Sequence, residues 1–291
     1  MLKTYQKNKN EIKENNNTME NPKVSIITVG MNHLNYIKEL YKSLYVDSLP
    51  NVSFEAIYVD NCSQDGSVKF LKENYPQVKI IQNEMPKGFG ENNNIGAFAS
   101  VGKYLAIINP DVSFKKGSLD TLYEFMEKNK EVGIAVPHLF NKDLTHQYSI
   151  RGFITPMIFV NRILSHGKDD AQNKEVERYL CKNIDVEKIQ PVNWAVGAAL
   201  FMSREMYSRL AGFDKDYFLY MEDEDICLRS WQMNRPVVYV PQSQMVHNHL
   251  RASSKIGKKA FMHFKSLRTF FKKHGYSVPD YAGMCKKVFI L

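Results

Sequence analysis

Nowhere in its 291 residues does this chain carry an apolar run of about 18, the length a helix needs to cross a bilayer. The first 20 residues are rich in Lys, Asn and Glu and hold no apolar stretch of the signal-peptide kind. Any membrane contact is therefore expected to be peripheral. The cysteines, Cys62, Cys181, Cys227 and Cys285, are widely spaced with no C-x-x-C pair. That argues against a disulfide framework or a zinc site and fits a reducing cytosol. No Walker Gly-Lys-Ser/Thr occurs, the glycines around residues 88–96 lack the dinucleotide-binding spacing, and no internal repeat is visible.

What is present reads as an ordinary globular protein: 44% hydrophobic and 24% charged residues, enough for one large core. The net charge is +8, and much of the excess lies near the C-terminus, from Lys255 through Lys265, Arg268 and Lys272 to Lys287. A basic balance fits nucleic acid, an anionic membrane surface or a phosphorylated small molecule. The cations cluster in one terminal helix and no nucleic-acid motif accompanies them, so nucleic acid is not expected as a partner.

Residues 1–21 are too poor in large apolar groups to order and read as a disordered tail. Short β-branched runs then alternate with helical periodicity. Val24–Val29, Phe54–Val59, Val78–Ile81, Tyr104–Ile108 and Val132–Val136 read as strands, with helices between them. That alternation predicts an α/β fold, a mostly parallel Rossmann-like sheet flanked by helices, with ligands beyond the carboxyl ends of the strands. Asp60 and Asp111 both fall at such ends. Residues 140–190 show weak periodicity and read as a long excursion over the site. Order returns at Val192–Met202, a helix capped by Ser203 follows, and further helices span Glu222–Trp231 and Ile256–His274 around a late strand at Pro236–Tyr239.

Five clusters could carry chemistry. Asp60-Asn-Cys-Ser-Gln-Asp-Gly-Ser67 offers an acid for a nucleobase or ribose, although turn chemistry and a Ser67 helix cap explain the same residues. Gly88 to Gly96, with Asn94, could let backbone approach a phosphate. Asn109-Pro110-Asp111 could end a strand in a turn or present an oxygen ligand to a hard divalent cation. Glu222-Asp223-Glu224-Asp225 opens a helix with more acid than its dipole requires; Asp225 and Arg229 are spaced to pair, which leaves Glu222 and Asp223 for a pocket. His247-Asn248-His249 follows the late strand and places two imidazoles on one side of it.

Taken in order, these motifs resemble the inverting family 2 glycosyltransferases of the GT-A fold, in the rhamnosyltransferase-like branch of bacterial surface polysaccharide synthesis. The resemblance spans about Lys23 to Phe271 and includes Trp194-x-Val-Gly-Ala198, and His247 ahead of Arg251 and Ser253. It implies that Thr28, Asp60 and Asn94 bind the donor nucleotide, and that Asp111 and His247 bind Mg2+ or Mn2+. It also implies that Trp194, Gly197 and Glu222 shape the sugar cleft and that Asp223 is the general base. His249 remains an alternative ligand. Many relatives have Asp where this chain has Asn109, which leaves one carboxylate fewer at the metal. The implied reaction moves a sugar, rhamnose or another hexose, from a dTDP- or UDP-linked donor to a glycan or lipid-linked acceptor. It would take place in the cytoplasm or on the inner face of the cell membrane. The implied layout is a GT-A domain over 22–252, divided at 137 into nucleotide-binding and acceptor halves, and a basic amphipathic helical extension over 253–291. A non-catalytic nucleotide-sugar binding module is the alternative. A nucleotidyltransferase fits less well, because Gly30-Met-Asn-His33 after the first strand is neither glycine-rich nor followed directly by a basic residue.

Overall fold

The computed structural model describes residues 21–165, 169, 173–248 and 258–291. Residues 1–20 of the expected 1–21 tail, and His249, Arg251 and Ser253, lie outside the described residues. β1 (Val24–Gly30), β2 (Phe54–Asp60), β3 (Lys79–Gln82) and β4 (Tyr104–Ile108) run parallel, with α1 (Leu34–Lys42), α2 (Ser67–Asn74) and α3 (Phe89–Phe98) between them. Alternate residues of these strands feed two cores. Val24, Ile26, Tyr104 and Ala106 pack under α1, whereas Ile27, Leu105 and Ile107 face the opposite layer. Burial on both faces is why the strands read as unbroken apolar runs.

β5 (Val112–Phe114), α4 (Ser118–Lys128) and β6 (Ile134–Phe140) follow, then β10 (Ala199–Ser203) and the long β11 (Val237–His247) complete the sheet. Its order is β3-β2-β1-β4-β10-β6-β11-β5, and the two-residue strand β8 (Gln190–Pro191) adds to β11. β10 runs antiparallel to both β4 and β6, and β5 antiparallel to β11. Four residue steps lead from Ile108 to Val112 and reach at most about 14 Å. Yet β4 and β5 stand four places apart in the sheet, about 19 Å if it were flat. The sheet therefore curls, and β5 returns beneath α1: the Phe114 amide donates to Ser43 Oγ (3.0 Å) and Ser48 Oγ donates to the Phe114 carbonyl (3.1 Å).

Residues 140–190, expected as an excursion, hold a small sheet of β7 (Ile150–Arg151) paired with β9 (Trp194–Ala195), and two helices, α5 (Pro156–Leu164) and α6 (Lys174–Tyr179). α7 (Arg204–Arg209) starts at Ser203, whose Oγ accepts the Met206 amide (3.0 Å), as its sequence predicts. Ser67 differs from expectation. Gly66, at φ +87°, precedes α2, and Asp65 rather than Ser67 gathers the local donors, among them the Leu34 amide at the start of α1 (2.7 Å). α8 (Glu222–Gln232) carries the acid run.

The C-terminal helices α9 (Lys258–His274) and α10 (Tyr281–Met284) lie against the body rather than hanging free. Leu267, Phe270 and Phe289 are buried, Lys273 pairs with Asp214 and Asp216, and His274 Nε2 lies 2.8 Å from Asp225 Oδ1. Among the described residues no helix is long and apolar enough to cross a membrane. All four cysteines are free thiols.

Candidate active site

The strand directions put the acids on one rim. β1, β2, β4, β6 and β11 all end there, and the antiparallel β5 and β10 begin there. Asp60 closes β2, two strand spacings, about 10 Å, from β4. Asn109-Pro110-Asp111 links β4 to β5, and His247 closes β11. Gly197 and Ala198 lead into β10, and the Asn109 amide donates to the Ala198 carbonyl (2.8 Å). Asp223 reaches the same spot from α8: its Oδ2 accepts the Gly197 amide (2.9 Å). A Cβ on Gly197 would lie 3.1 Å from the Asp223 Cβ, so any larger residue here must push the Asp223 side chain back by a few tenths of an ångström.

Asp111 and His247 face each other. His247 Nε2 stands 3.4 Å from Asp111 Oδ1, a carboxylate oxygen that is buried without a hydrogen bond. Asn109 Oδ1 is buried and unsatisfied as well. The His247 Nδ1 bonds Gln147 Oε1 (2.7 Å), and Gln147 Nε2 returns to the His247 carbonyl (3.2 Å). That clamp fixes the ring and turns Nε2 toward Asp111. The Asn248 amide donates to the Asp111 carbonyl (2.8 Å), locking the two strand ends together. Among the described residues no group of three or more His, Cys, Asp or Glu side chains is placed to hold a metal ion, and Asp111 and His247 are the two such side chains that face each other here.

The four acids of α8 have four different settings. Glu222 is buried with Oε2 unsatisfied; burial, reinforced by the charge of Asp223, pushes its carboxyl well above the ordinary range. Burial also raises Asp223, opposed by the Gly197 and Glu224 amides it accepts and by the charge of Arg151. Glu224 accepts the Ile154 amide (2.7 Å) and is pushed well above its usual range by burial. Asp225 bonds Arg229 Nε (2.7 Å), the pairing its spacing predicts, and meets His274 from α9. Tyr220 and Met221, just before α8, both hold positive φ, so the chain turns sharply to aim the helix N-terminus at the rim.

Other expected residues are placed less directly. Thr28 points into the core with its hydroxyl buried, so its backbone rather than its side chain borders the rim. The Asn94 amide is already in use: Oδ1 accepts Tyr207 Oη (2.6 Å) and the Phe213 amide (2.9 Å), and Nδ2 donates to the Phe213 carbonyl (2.8 Å). It ties α3 to the 207–213 segment, and a ribose could claim it only by breaking those bonds. The Trp194 indole donates to the Gly152 carbonyl (2.6 Å), holding β7 on β9 as a wall. Asp60 is buried, with Oδ2 accepting the Ser63 amide (3.2 Å).

Arg151, Tyr179, Glu224 and Gln147 were not legible as site residues. Arg151 lies beside Trp194 in the β7–β9 pair, its guanidinium 5.7 Å from the Tyr179 ring centre, with Nη1 buried and unsatisfied. Its charge reaches Asp223. Its only sequence signal is an Arg-Gly step in a stretch without periodicity.

Residues 25–209, more than half of the chain, match the family described as Glycosyl transferase family 2. The rhamnosyltransferase WbbL of Escherichia coli (strain K12) is 28% identical over 254 residues, covering 84% of this chain and 90% of that protein. The N-acetylglucosaminyl-diphospho-decaprenol L-rhamnosyltransferase of Mycobacterium tuberculosis (strain ATCC 25618 / H37Rv) is 25% identical over 210 residues, 68% of each chain. Among solved structures, GalNAc-T7 with UDP, GalNAc and Mn2+ superposes with a TM-score of 0.62 at 16% identity. The match spans 88% of this chain but only 50% of that one, a likeness of fold. With a curled, mostly parallel GT-A sheet and its acids gathered at one rim, the chain belongs to glycosyl transferase family 2 and is a glycosyltransferase.

Proposed function

We propose that this enzyme transfers a sugar, rhamnose or another hexose, from a dTDP- or UDP-linked donor to a glycan or lipid-linked glycan acceptor, with inversion at the anomeric carbon. The observation that carries the reading is the Asp223 carboxylate, held by the Gly197 amide at the rim that also bears Asp111 and His247. A sugar hydroxyl is a poor nucleophile at neutral pH, so a base must take its proton as attack proceeds. Asp223 suits that role, being half-buried at a helix N-terminus with its carboxyl raised toward neutrality. Glu222 lies beside it in the sequence, its own carboxyl pushed well above the ordinary range by burial and then by the charge of Asp223.

Asp111 and His247 are the residues that would hold Mg2+ or Mn2+. Their fit rests on the unsatisfied Asp111 oxygen and on an imidazole oriented by Gln147. Such cations keep several waters and share substrate phosphates, which suits a site with few protein ligands. When bound, the ion offsets the charge that develops on the departing diphosphate. The nucleotide lies over the carboxyl ends of β1 and β2 by Asp60 and the Thr28 backbone, Asn94 braces that wall, and Trp194 backs the cleft. A lipid-linked acceptor, in keeping with the mycobacterial relative's name, sets the reaction at the inner face of the cell membrane.

The test is a donor panel with Mn2+ and glycan acceptors. The wild-type chain turns over a dTDP- or UDP-sugar, whereas Asp223→Asn binds donor with unchanged affinity and turns it over at least about 100-fold more slowly. Turnover at the wild-type rate by that variant removes Asp223 as base. Donor binding without turnover in the wild-type chain makes the protein a binding module.

A further inference from the structure

α5 has the composition of a core helix but sits at the surface. Its sequence, Pro-Met-Ile-Phe-Val-Asn-Arg-Ile-Leu, buries only Ile158. Met157 is 64% exposed, Val160 50%, Ile163 57% and Leu164 72%. An ordinary surface helix turns polar residues outward. The start is nonetheless well made: Thr155 Oγ1 accepts the Ile158 amide (3.2 Å) and proline occupies the first turn. The outward apolar face is therefore a property of a properly capped helix, and it has no partner among the described residues.

The face continues onto α9. Phe159 of α5 packs against Phe264 and His263, with ring centres 6.4 Å apart in each case. Phe264 is 56% and Phe261 72% exposed. On α9 the stripe Phe261, Phe264/Lys265, Arg268, Lys272 follows one helical side. Leu267 and Phe270, on the opposite side, are buried. The outer side thus grades from aromatic to basic, and α9 contains six Lys or Arg residues and no Asp or Glu. On α5 the one cation, Arg162, pairs with Asp169 (3.2 Å).

We propose that this joint face of α5 and the first half of α9 docks on an anionic membrane surface. Its apolar side chains would enter the headgroup boundary and Lys265, Arg268 and Lys272 would meet acidic lipid, the pattern by which amphipathic helices lie in an interface. A second copy of this chain is the poorer occupant: it carries the same positive rim, and a stable protein interface takes about 20–30 residues a side. The face also adjoins the catalytic rim. The Tyr220 ring, two residues before Glu222, lies 4.9 Å from His263, and the Ile154 amide just before α5 is bonded to Glu224. This placement deepens the proposed reading, because it brings the mouth beside Asp223 to the surface where a lipid-linked acceptor resides.

The test uses the full chain without donor or acceptor, so it stands or falls apart from the assignment of the reaction. Flotation with phosphatidylcholine vesicles, with and without phosphatidylglycerol, should show salt-sensitive binding only to the anionic set. The exposed triple variant Met157→Ser/Leu164→Ser/Phe261→Ser should bind at least about tenfold more weakly, and Lys265→Glu/Arg268→Glu/Lys272→Glu should do the same. Melting temperature and the far-ultraviolet circular dichroism spectrum should stay as in the wild type. Failure of the wild-type chain to bind anionic vesicles overturns the proposal, as does unchanged binding by the triple serine variant. A concentration-dependent dimer abolished by those serines, with no vesicle binding, assigns the face to a second copy instead.

Discussion

The two ends of the catalytic rim use the same residue type in opposite ways. At the β5–β11 end, Asp111 and Asn109 keep carboxyl and amide oxygens unsatisfied, and His247 is clamped so that its Nε2 faces Asp111. At the α8 end, burial makes the charge of Glu222, Asp223 and Glu224 costly, and only selected amides and the Arg151 guanidinium offset it, while Asp225 pairs with Arg229. In the proposed reading the first end receives positive charge and the second sets a proton's residence. The difference lies in the supporting atoms: strand ends expose lone pairs to the rim, whereas a helix N-terminus seated in the core buries its acids beneath Trp194 and Tyr179.

Substitutions should separate the two ends. The largest effect is expected at Asp223→Asn, with kcat lower by about 10²–10⁴-fold and donor affinity unchanged by titration calorimetry, because only proton removal is lost. Asp111→Asn should lower turnover by about 10²–10³-fold and shift Mn2+ activation to higher concentration, and a chelator should mimic it in the wild type. Equal metal response in both variants would erase the distinction. Gly197→Ala should cost on the order of tenfold in kcat with the fold intact by circular dichroism, since the new methyl displaces the Asp223 carboxyl by a few tenths of an ångström.

Smaller effects should sharpen the picture. The acid limb of the kcat/KM profile should lie above the ordinary carboxylate range, because the base must be ionised and burial raises it. Arg151→Gln removes a charge that holds Asp223 down, so that limb should move to higher pH, while Arg151→Lys should leave it in place. Glu222 supplies a stability counterpart. Its folded-state pKa exceeds the unfolded one, so stability present at acid pH is lost as pH rises through that window. In Glu222→Gln the melting temperature should fall less over the same window.

Much of the frame is legible in the sequence because strands buried on both faces write themselves as β-branched runs. Tyr104–Ile108 matches its strand to the residue, and Asp60 and Asp111 follow from strand ends. Strand direction is not legible: periodicity carries no sense of polarity, so β10, inserted antiparallel between β4 and β6, looks like any other run. The stretch from 140 to 190 misleads for another reason. A short, mostly apolar run such as the nine residues of α5 reads equally well as a strand or a helix. Asn94 shows the limit for single side chains, since the same amide that could face a ribose is spent on Tyr207 and Phe213, 113 and 119 residues away.

His274, the last residue of α9, has its ring nitrogen against Asp225 in the heart of the acid motif. The tail and the reaction centre are thus mechanically one unit. Cutting the chain ahead of α9 would strip the support from the helix that aims Asp223, so an inactive truncation says nothing about lipid. Transplanting this tail onto another member of the family should succeed only where Asp214, Asp216 and Asp225 travel with it.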